Sequence, residues 1–274
     1  MNDKELKLLH NKILEIAKYF DEFCNENNIT YYLMGGTALG AIRHKGFIPW
    51  DDDYDVYMDY NNYMKLLNRV ENNIDKSKYY FQKEDTEEWP MFFSKLRMNH
   101  TTFIEKDVVG RIMHHGIYID IMCLNNTSSN KYFRYIQYSC ARMLNARALV
   151  GKGYITNSLM KKAALAISKI FIRGVIKKYL LKCVRSYNAK ETTFVGHFFG
   201  RAPFLKTTFK KAYLVQPRYV KFESLKLPVA NCVEEYLKIR YGEKYMELPS
   251  EEEKMKYPSH AYIVDTSKCY NSYM

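Results

Sequence analysis

Residues 33–58 read LMGGTALGAIRHKGFIPWDDDYDVYM. An apolar run enters Gly35, Gly36 and Thr37, a basic trio follows at Arg43, His44 and Lys45, and the stretch closes on Asp51, Asp52, Asp53 and Asp55. Tyr31 to Met34 reads as a short buried strand feeding a glycine turn, because glycine admits close backbone approach and φ values closed to other residues. A helix is expected over 37–43, and its first amides would face whatever lies above the turn, an anion site by geometry. Beyond Pro49 and Trp50 a strand would alternate its side chains, setting Asp51, Asp53 and Asp55 on one face and Asp52, Tyr54 and Val56 on the other. Three carboxylates on one face repel unless protons or a cation lie between them, so the row implies a divalent metal.

Further along, GIYIDIM at 116–122 sets Asp120 between Ile119 and Ile121 in an apolar strand. An unpaired carboxylate there is costly, and a metal shared with Asp53 and Asp55 would supply its partner. Residues 79–82, 91–97 and 101–105 read as strands, with Lys95 and Arg97 two apart and therefore on one face. Leu6, Leu9, Ile13, Ile16, Phe20 and Phe23 recur at spacings of three and four, which predicts an amphipathic helix over 4–26. Shorter helices are expected over 61–70 and 232–241, the second stopped at Gly242. Pro249 and Pro258 should fix turns, with His260 presented after the second. His114 and His115 precede the Asp120 strand, either within reach of the site or as exposed loop histidines.

Three readings compete for the aspartates. Asp51, Asp53 and Asp55 have the D-x-D-x-D spacing of a calcium loop, but that loop wants Gly at its sixth position and Glu at its twelfth, where Val56 and Asn62 stand. An acidic surface turn explains a run of aspartates, but not the glycine turn before it, the apolar neighbours or Asp120. A phosphoryl-transfer site explains all of them: amides hold phosphate, and a D-x-D strand with a third carboxylate holds one or two Mg²⁺, as in nucleotidyltransferases of the polymerase-beta type.

The chain of 274 residues, 47% hydrophobic, suits one large domain or two small ones. No signal peptide or bilayer-spanning run is visible, so a cytoplasmic protein, peripheral at the inner face of the cell membrane, is expected. The six cysteines are scattered and read as reduced packing residues. The net charge of +12 is local: Ile121 to Lys190 holds 14 Lys and Arg and no acid, leaving 28 basic against 30 acidic residues elsewhere. That distribution points to a local anionic partner and away from nucleic acid, which the aspartates would repel. Within it, residues 158–182 predict a basic amphipathic helix with Lys162, Lys169, Arg173 and Lys177 near one face, suited to an anionic membrane surface.

The segment GGTALGAIRHKGFIPWDDDYDVYM closely resembles the signature of the LicD family of phosphotransferases, shared with fukutin-type proteins. KLRMNHTTFIE at 95–105, GIYIDIM at 116–122 and YGEKYMELP at 241–249 followed by His260 extend the resemblance over nearly the whole chain. It implies an α/β fold with a nucleotidyltransferase-like core and mixed sheet over 1–124, a basic, largely helical insertion over 125–190, and a C-terminal segment over 191–274 completing the catalytic domain. It further implies transfer of a phospho-alcohol, typically phosphocholine from CDP-choline, to a sugar hydroxyl of a glycan or its lipid-linked precursor, with release of CMP. Asp53, Asp55 and Asp120 would then bind Mg²⁺ or Mn²⁺ and carry catalysis. Gly35, Gly36 and Thr37 would cradle a phosphate, and Arg43, Lys45, Lys95 and Arg97 would neutralise the diphosphate. His44, Asp51, Asp52 and His260 are further candidates for donor contact. Glycerol- or ribitol-phosphate transfer and nucleotidyl transfer to a small molecule are the alternatives.

Overall fold

The computed structural model describes residues 1–255 and 259–274. Its first helix, α1 (Asp3–Glu26), starts at a capping box in which the Asn2 side chain accepts from the Glu5 amide while Glu5 accepts from the Asn2 amide, each at 2.9 Å. The apolar stripe turns inward, and Leu9, Ile13, Ile16, Phe20 and Phe23 are buried. The main sheet runs β3 (Tyr79–Gln82), β4 (Ser94–Met98), β6 (Tyr118–Thr127), β2 (Asp55–Asp59), β1 (Tyr32–Leu33), β10 (Leu225–Val229) and β9 (Arg218–Phe222). Strands β2 and β6 are parallel neighbours, as are β1 and β10, and the remaining pairs on this path are antiparallel. The sheet is thus mixed, as expected. At its C-terminal end β6 continues into a pairing with β7 (Phe194–Gly196), which pairs in turn with β8 (Thr208–Lys210).

Val56, Tyr57 and Met58 of β2 are consecutive and all buried. Since neighbours on a strand face opposite ways, both faces of the sheet are covered here. Helices α1 and α3 (Tyr60–Asn73) pack on β6, and α2 (Gly35–Arg43) packs against α7 (Val233–Tyr241) and β9. A separate two-stranded ribbon joins β5 (Thr102–Glu105) to β11 (Ala261–Asp265), which ties the C-terminal segment back to the middle of the chain.

Helices α4 (Lys131–Lys152), α5 (Leu159–Phe171) and α6 (Gly174–Val184) form a helical unit with its own small core of Ala141, Leu144, Ala148, Leu180 and Val184 against Phe92, Phe198 and Phe199. The single helix expected over 158–182 is therefore two. Ile172 dives into that core, and Gly174 takes φ +46°, a conformation that starts a new helix in a new direction. Lys177 is taken from the common basic face by an ion pair with Asp85.

Two other expectations are corrected. The glycines are not a turn ahead of a helix but the first turn of α2 itself, which begins at Gly35. The strand begins only at Asp55, because the Asp51 amide closes a turn onto Ile48 O and Asp52 is drawn toward the C-terminal segment. The turn expected at Pro258 lies outside the described residues. All six cysteines are free thiols.

Candidate active site

The parallel register of β2 and β6 sets Asp55 beside Asp120, and the antiparallel register of β4 sets Lys95 beside Asp120. Paired residues point to the same face, so the order carboxylate, carboxylate, ammonium is laid across three adjacent strands. Asp51 and Asp53 reach the same place from the loop. The two carboxyls crowd each other, and the charge of Asp53 helps raise Asp51. Asp51, Asp53, Asp55 and Asp120 are all partly exposed, whereas Asp52 is buried. Four carboxylates therefore line one accessible patch while the fifth turns inward.

Electrostatics follow from that crowding. Burial, then Asp53, Asp120 and Asp51, push the Asp55 carboxyl well above the ordinary carboxylate range. Asp51 is raised in the same way by burial and then by Asp53 and Asp52. Asp53 is raised by burial, against the opposing charge of His260. These groups hold negative charge poorly by themselves, and a cation would reverse that.

The glycines make room for them. A Cβ on Gly35 would stand 2.9 Å from Asp55 Oδ2, and one on Gly36 would stand 2.8 Å from Asp51 Oδ2. Gly35 also has φ +60°, which a side chain disfavours. The two carboxylates are thus pressed against the positive end of α2, where the helix dipole favours negative charge. Thr37 Oγ1 accepts from the Asp55 amide at 2.8 Å, and the Gly35 amide donates to Tyr236 Oη at 3.0 Å. Gly35, Gly36 and Thr37 therefore position the aspartates directly.

Lys95 and Arg97 are inside the protein. The Lys95 ammonium lies 2.8 Å from Asp120 Oδ1 and 3.0 Å from Glu105 Oε1, and sits over the Tyr118 ring at 3.2 Å from its centroid. Glu105 in turn meets Lys152 at 3.0 Å. Burial would raise the Glu105 carboxyl, but Lys95, Lys152 and Arg97 outweigh it and hold it well below its usual range. Arg97 is fully buried, donating to Gln82 Oε1 and Gly116 O at 2.9 Å each, so it contributes charge from within the protein. Although Lys95 is close to Asp120, its approach is poorly directed, and Asp120 Oδ1 has no hydrogen-bond partner among the described residues.

Asp52 accepts from Ser259 Oγ at 2.5 Å and from the His260 amide at 2.8 Å, and meets His260 Nδ1 at 3.0 Å. That bond raises the His260 imidazole, and His260 and Ser259 hold Asp52 below its ordinary value despite burial. The pair clasps the C-terminal segment to the aspartate loop. Arg43, His44 and Lys45 lie at the other end of α2, about 12 Å along the helix from Gly35. Arg43 donates to Tyr245 O and Glu247 O, His44 accepts from Arg43 Nε, and Lys45 donates to Ile42 O. The trio is not gathered with the carboxylates. Neither His114 nor His115 is an exposed loop residue: His114 stacks on Tyr80, and His115 is buried.

Reading the chain alone misses Glu105 and Lys152, which fix Lys95, and Tyr236, which fixes Gly35. It also passes over Arg240, placed among Tyr57, Tyr236 and Tyr241, and Arg201 near His260. Glu105 closes KLRMNHTTFIE, Lys152 belongs to the acid-free segment, and Tyr236 and Arg240 sit on the helix expected over 232–241, but no local pattern marks any of them as part of the site.

An all-oxygen donor set of aspartates suits a hard divalent cation such as Mg²⁺ or Mn²⁺. The crowding of Asp51, Asp53 and Asp55, each raised by burial and by its neighbours, marks where such charge fits. Among the described residues no three His, Cys, Asp or Glu side chains already close on one point at liganding distance. The carboxylates would have to draw together by side-chain rotation to hold an ion.

Residues 28–136 match the family model described as LicD/FKTN/FKRP, nucleotidyltransferase domain. The chain is 28% identical over 262 residues to the lipopolysaccharide cholinephosphotransferase LicD of Haemophilus influenzae, covering 92% of this chain and 95% of that protein. It is also 46% identical over 44 residues to an uncharacterized protein of Rickettsia prowazekii, 16% of each chain.

Proposed function

On the premise that residues 28–136 are a LicD-family domain, we propose that the chain transfers phosphocholine from CDP-choline to a sugar hydroxyl of a glycan or its lipid-linked precursor. The similarity to a lipopolysaccharide cholinephosphotransferase spans nearly the full length of both chains and supports this choice of group and acceptor class. The observation that carries the reading is the convergence of Asp53, Asp55 and Asp120 on one partly exposed patch.

In this reading the acceptor oxygen attacks the phosphorus that bears choline. The bond from that phosphorus to the CMP oxygen breaks, and CMP leaves with the electron pair. Asp53, Asp55 and Asp120 would hold Mg²⁺ or Mn²⁺, which when bound neutralises the diphosphate and the charge developing on the leaving group. Asp120 would also draw the hydroxyl proton, with the Lys95 ammonium 2.8 Å from it. The N-terminus of helix α2 would face the donor phosphates from behind the Asp51 and Asp55 carboxylates. Arg240, beside Tyr236 and Tyr241, and Arg201, near His260, are the candidate cations to meet phosphate.

The test is incubation of the purified chain with Mg²⁺ and a panel of CDP-alcohols, with and without candidate glycans, following CMP. Release from CDP-choline alone supports the proposal. Release from CDP-glycerol or CDP-ribitol reassigns the alcohol, and pyrophosphate from a nucleoside triphosphate replaces the reaction with nucleotidyl transfer.

A further inference from the structure

Helix α5 is turned the wrong way for a helix that packs on protein. At 3.6 residues per turn, Leu159, Met160, Ala163, Ile167 and Ile170 share an arc about 100° wide. That arc faces out: Leu159, Met160 and Ile170 are 82%, 84% and 60% exposed, while Ser168 is the helix's buried residue. The outward surface continues across the break through Phe171 and Val175, 61% and 82% exposed. An isolated helix of this length is marginal in water, and its stability ordinarily comes from burying its apolar side. Among the described residues, none covers the apolar side here.

Basic residues border this surface. Lys162, Lys169 and Arg173 are exposed beside the apolar arc, and no acidic residue occurs anywhere from Ile121 to Lys190. A second copy of the chain meeting this face about a twofold axis would set these cations against their own counterparts, which charge repulsion opposes. A surface that is apolar beneath and anionic above satisfies both features. Among the described residues no helix is long and apolar enough to cross a membrane, so the fitting arrangement is one lying in the interface plane.

We propose that α5 and the start of α6 dock the protein on an anionic phospholipid bilayer surface, the apolar arc entering the headgroup boundary and Lys162, Lys169 and Arg173 meeting lipid phosphates. Lys177, paired with Asp85, is not part of this surface. The inference does not rest on which group the carboxylate site transfers, and vesicle binding is read without turnover, so either proposal can fail alone.

The experiment is co-sedimentation of the full chain with vesicles of phosphatidylcholine alone and of phosphatidylcholine with phosphatidylglycerol, at low and high salt. The chain should pellet with the anionic vesicles, less so at high salt, and remain soluble with the neutral ones. Changing Lys162, Lys169 and Arg173 to Gln should weaken binding roughly a hundred-fold, from about a factor of five per cation. Ile167→Glu with Ile170→Glu should abolish binding while circular dichroism and CMP release from soluble substrates stay unchanged. Equal recovery with neutral and anionic vesicles, or retention by either variant, overturns the proposal. So does a concentration-dependent dimer by light scattering that Ile170→Glu dissociates, with no vesicle binding, since the face then covers a second copy.

Discussion

The sheet around Asp55 and the helix α5 are mismatched to their surroundings in opposite senses. In the sheet, strand register and layers on both faces hold Asp55 against other carboxylates that push its own up. In α5, large apolar side chains are held where none of the described residues covers them. One mismatch is charge without a counter-charge and the other is apolar surface without cover, and each states the chemistry of what would relieve it: a cation for the first, a lipid surface for the second. The two also differ in how firmly they are built. Asp55 and Asp120 are fixed by ladders of five register pairs, whereas α5 leans on α4 through one edge.

The largest effect should come from breaking the charged side of this contrast. Asp53→Asn, Asp55→Asn or Asp120→Asn should lower metal-dependent CMP release by at least about a hundred-fold, since even groups that only support metal ligands cost about 10- to 100-fold. Stability should not fall with it in Asp55→Asn. Asp55 is raised by burial and three like charges, so its removal relieves repulsion, and the thermal midpoint should hold or rise. Near wild-type turnover in any of the three would remove the site assignment.

The next prediction separates the supported and unsupported sides of the helical unit. Leu144 is fully buried between α4 and its neighbours, and Leu144→Ala should cost about 2–5 kcal/mol in a urea titration. Ile170→Ala, in the outward arc, should change stability by less than about 0.5 kcal/mol. Comparable losses at both positions would mean that α5 packs on protein in solution and that the contrast is false.

Protons act on His197 and on the crowded aspartates with opposite signs. His197 is buried, its imidazole lowered to about 3 chiefly by burial, and Tyr57 Oη lies 2.8 Å from its Nδ1. With an unfolded value near 6.5, the unfolded chain binds the extra proton between about 6.5 and about 3. This contribution to stability is therefore complete above about pH 6.5 and is lost as pH falls. The raised carboxylates of Asp51, Asp53 and Asp55 work the other way, since the folded chain keeps their protons to higher pH. Comparing wild type with His197→Gln isolates the first term: wild type should lose about 2 kcal/mol more than the variant between pH 7 and pH 5. Parallel pH profiles would place the imidazole in water.

Much of this was legible in the sequence because it is local. The 3.6-residue spacing of Leu9, Ile13, Ile16 and Phe20 specifies α1, the resemblance to the LicD family is borne out by the match over residues 28–136, and the apolar run around Asp120 marks its strand. The errors share one cause, contacts distant in sequence. Asp51 to Tyr54 are not strand because Asp52 is bound by residues about 208 positions away. Lys95 and Arg97 alternate as a strand should, but nothing local says that Glu105, Trp89 and Tyr118 close around Lys95. The break between α5 and α6 hangs on Gly174, which reads like any glycine until Ile172 is seen to enter a core built from three other segments.

The smallest effect tests the glycines, where helix and carboxylates meet. Gly35→Ala faces two costs: a left-handed φ, at about 1–2 kcal/mol for an ordinary side chain, and a Cβ 2.9 Å from Asp55 Oδ2. Gly36→Ala faces only the second kind, at 2.8 Å from Asp51 Oδ2, and gains up to about 1 kcal/mol of helix propensity in return. Gly35→Ala should therefore be the more destabilising of the two, and Gly36→Ala near neutral. Since the struck atoms are carboxylate ends, adding Asp55→Ala should recover the contact part of the Gly35→Ala loss and leave the backbone part. Full recovery would mean that Gly35 is required only as room for Asp55, and no recovery would mean that the left-handed start of α2 is the whole reason for the glycine.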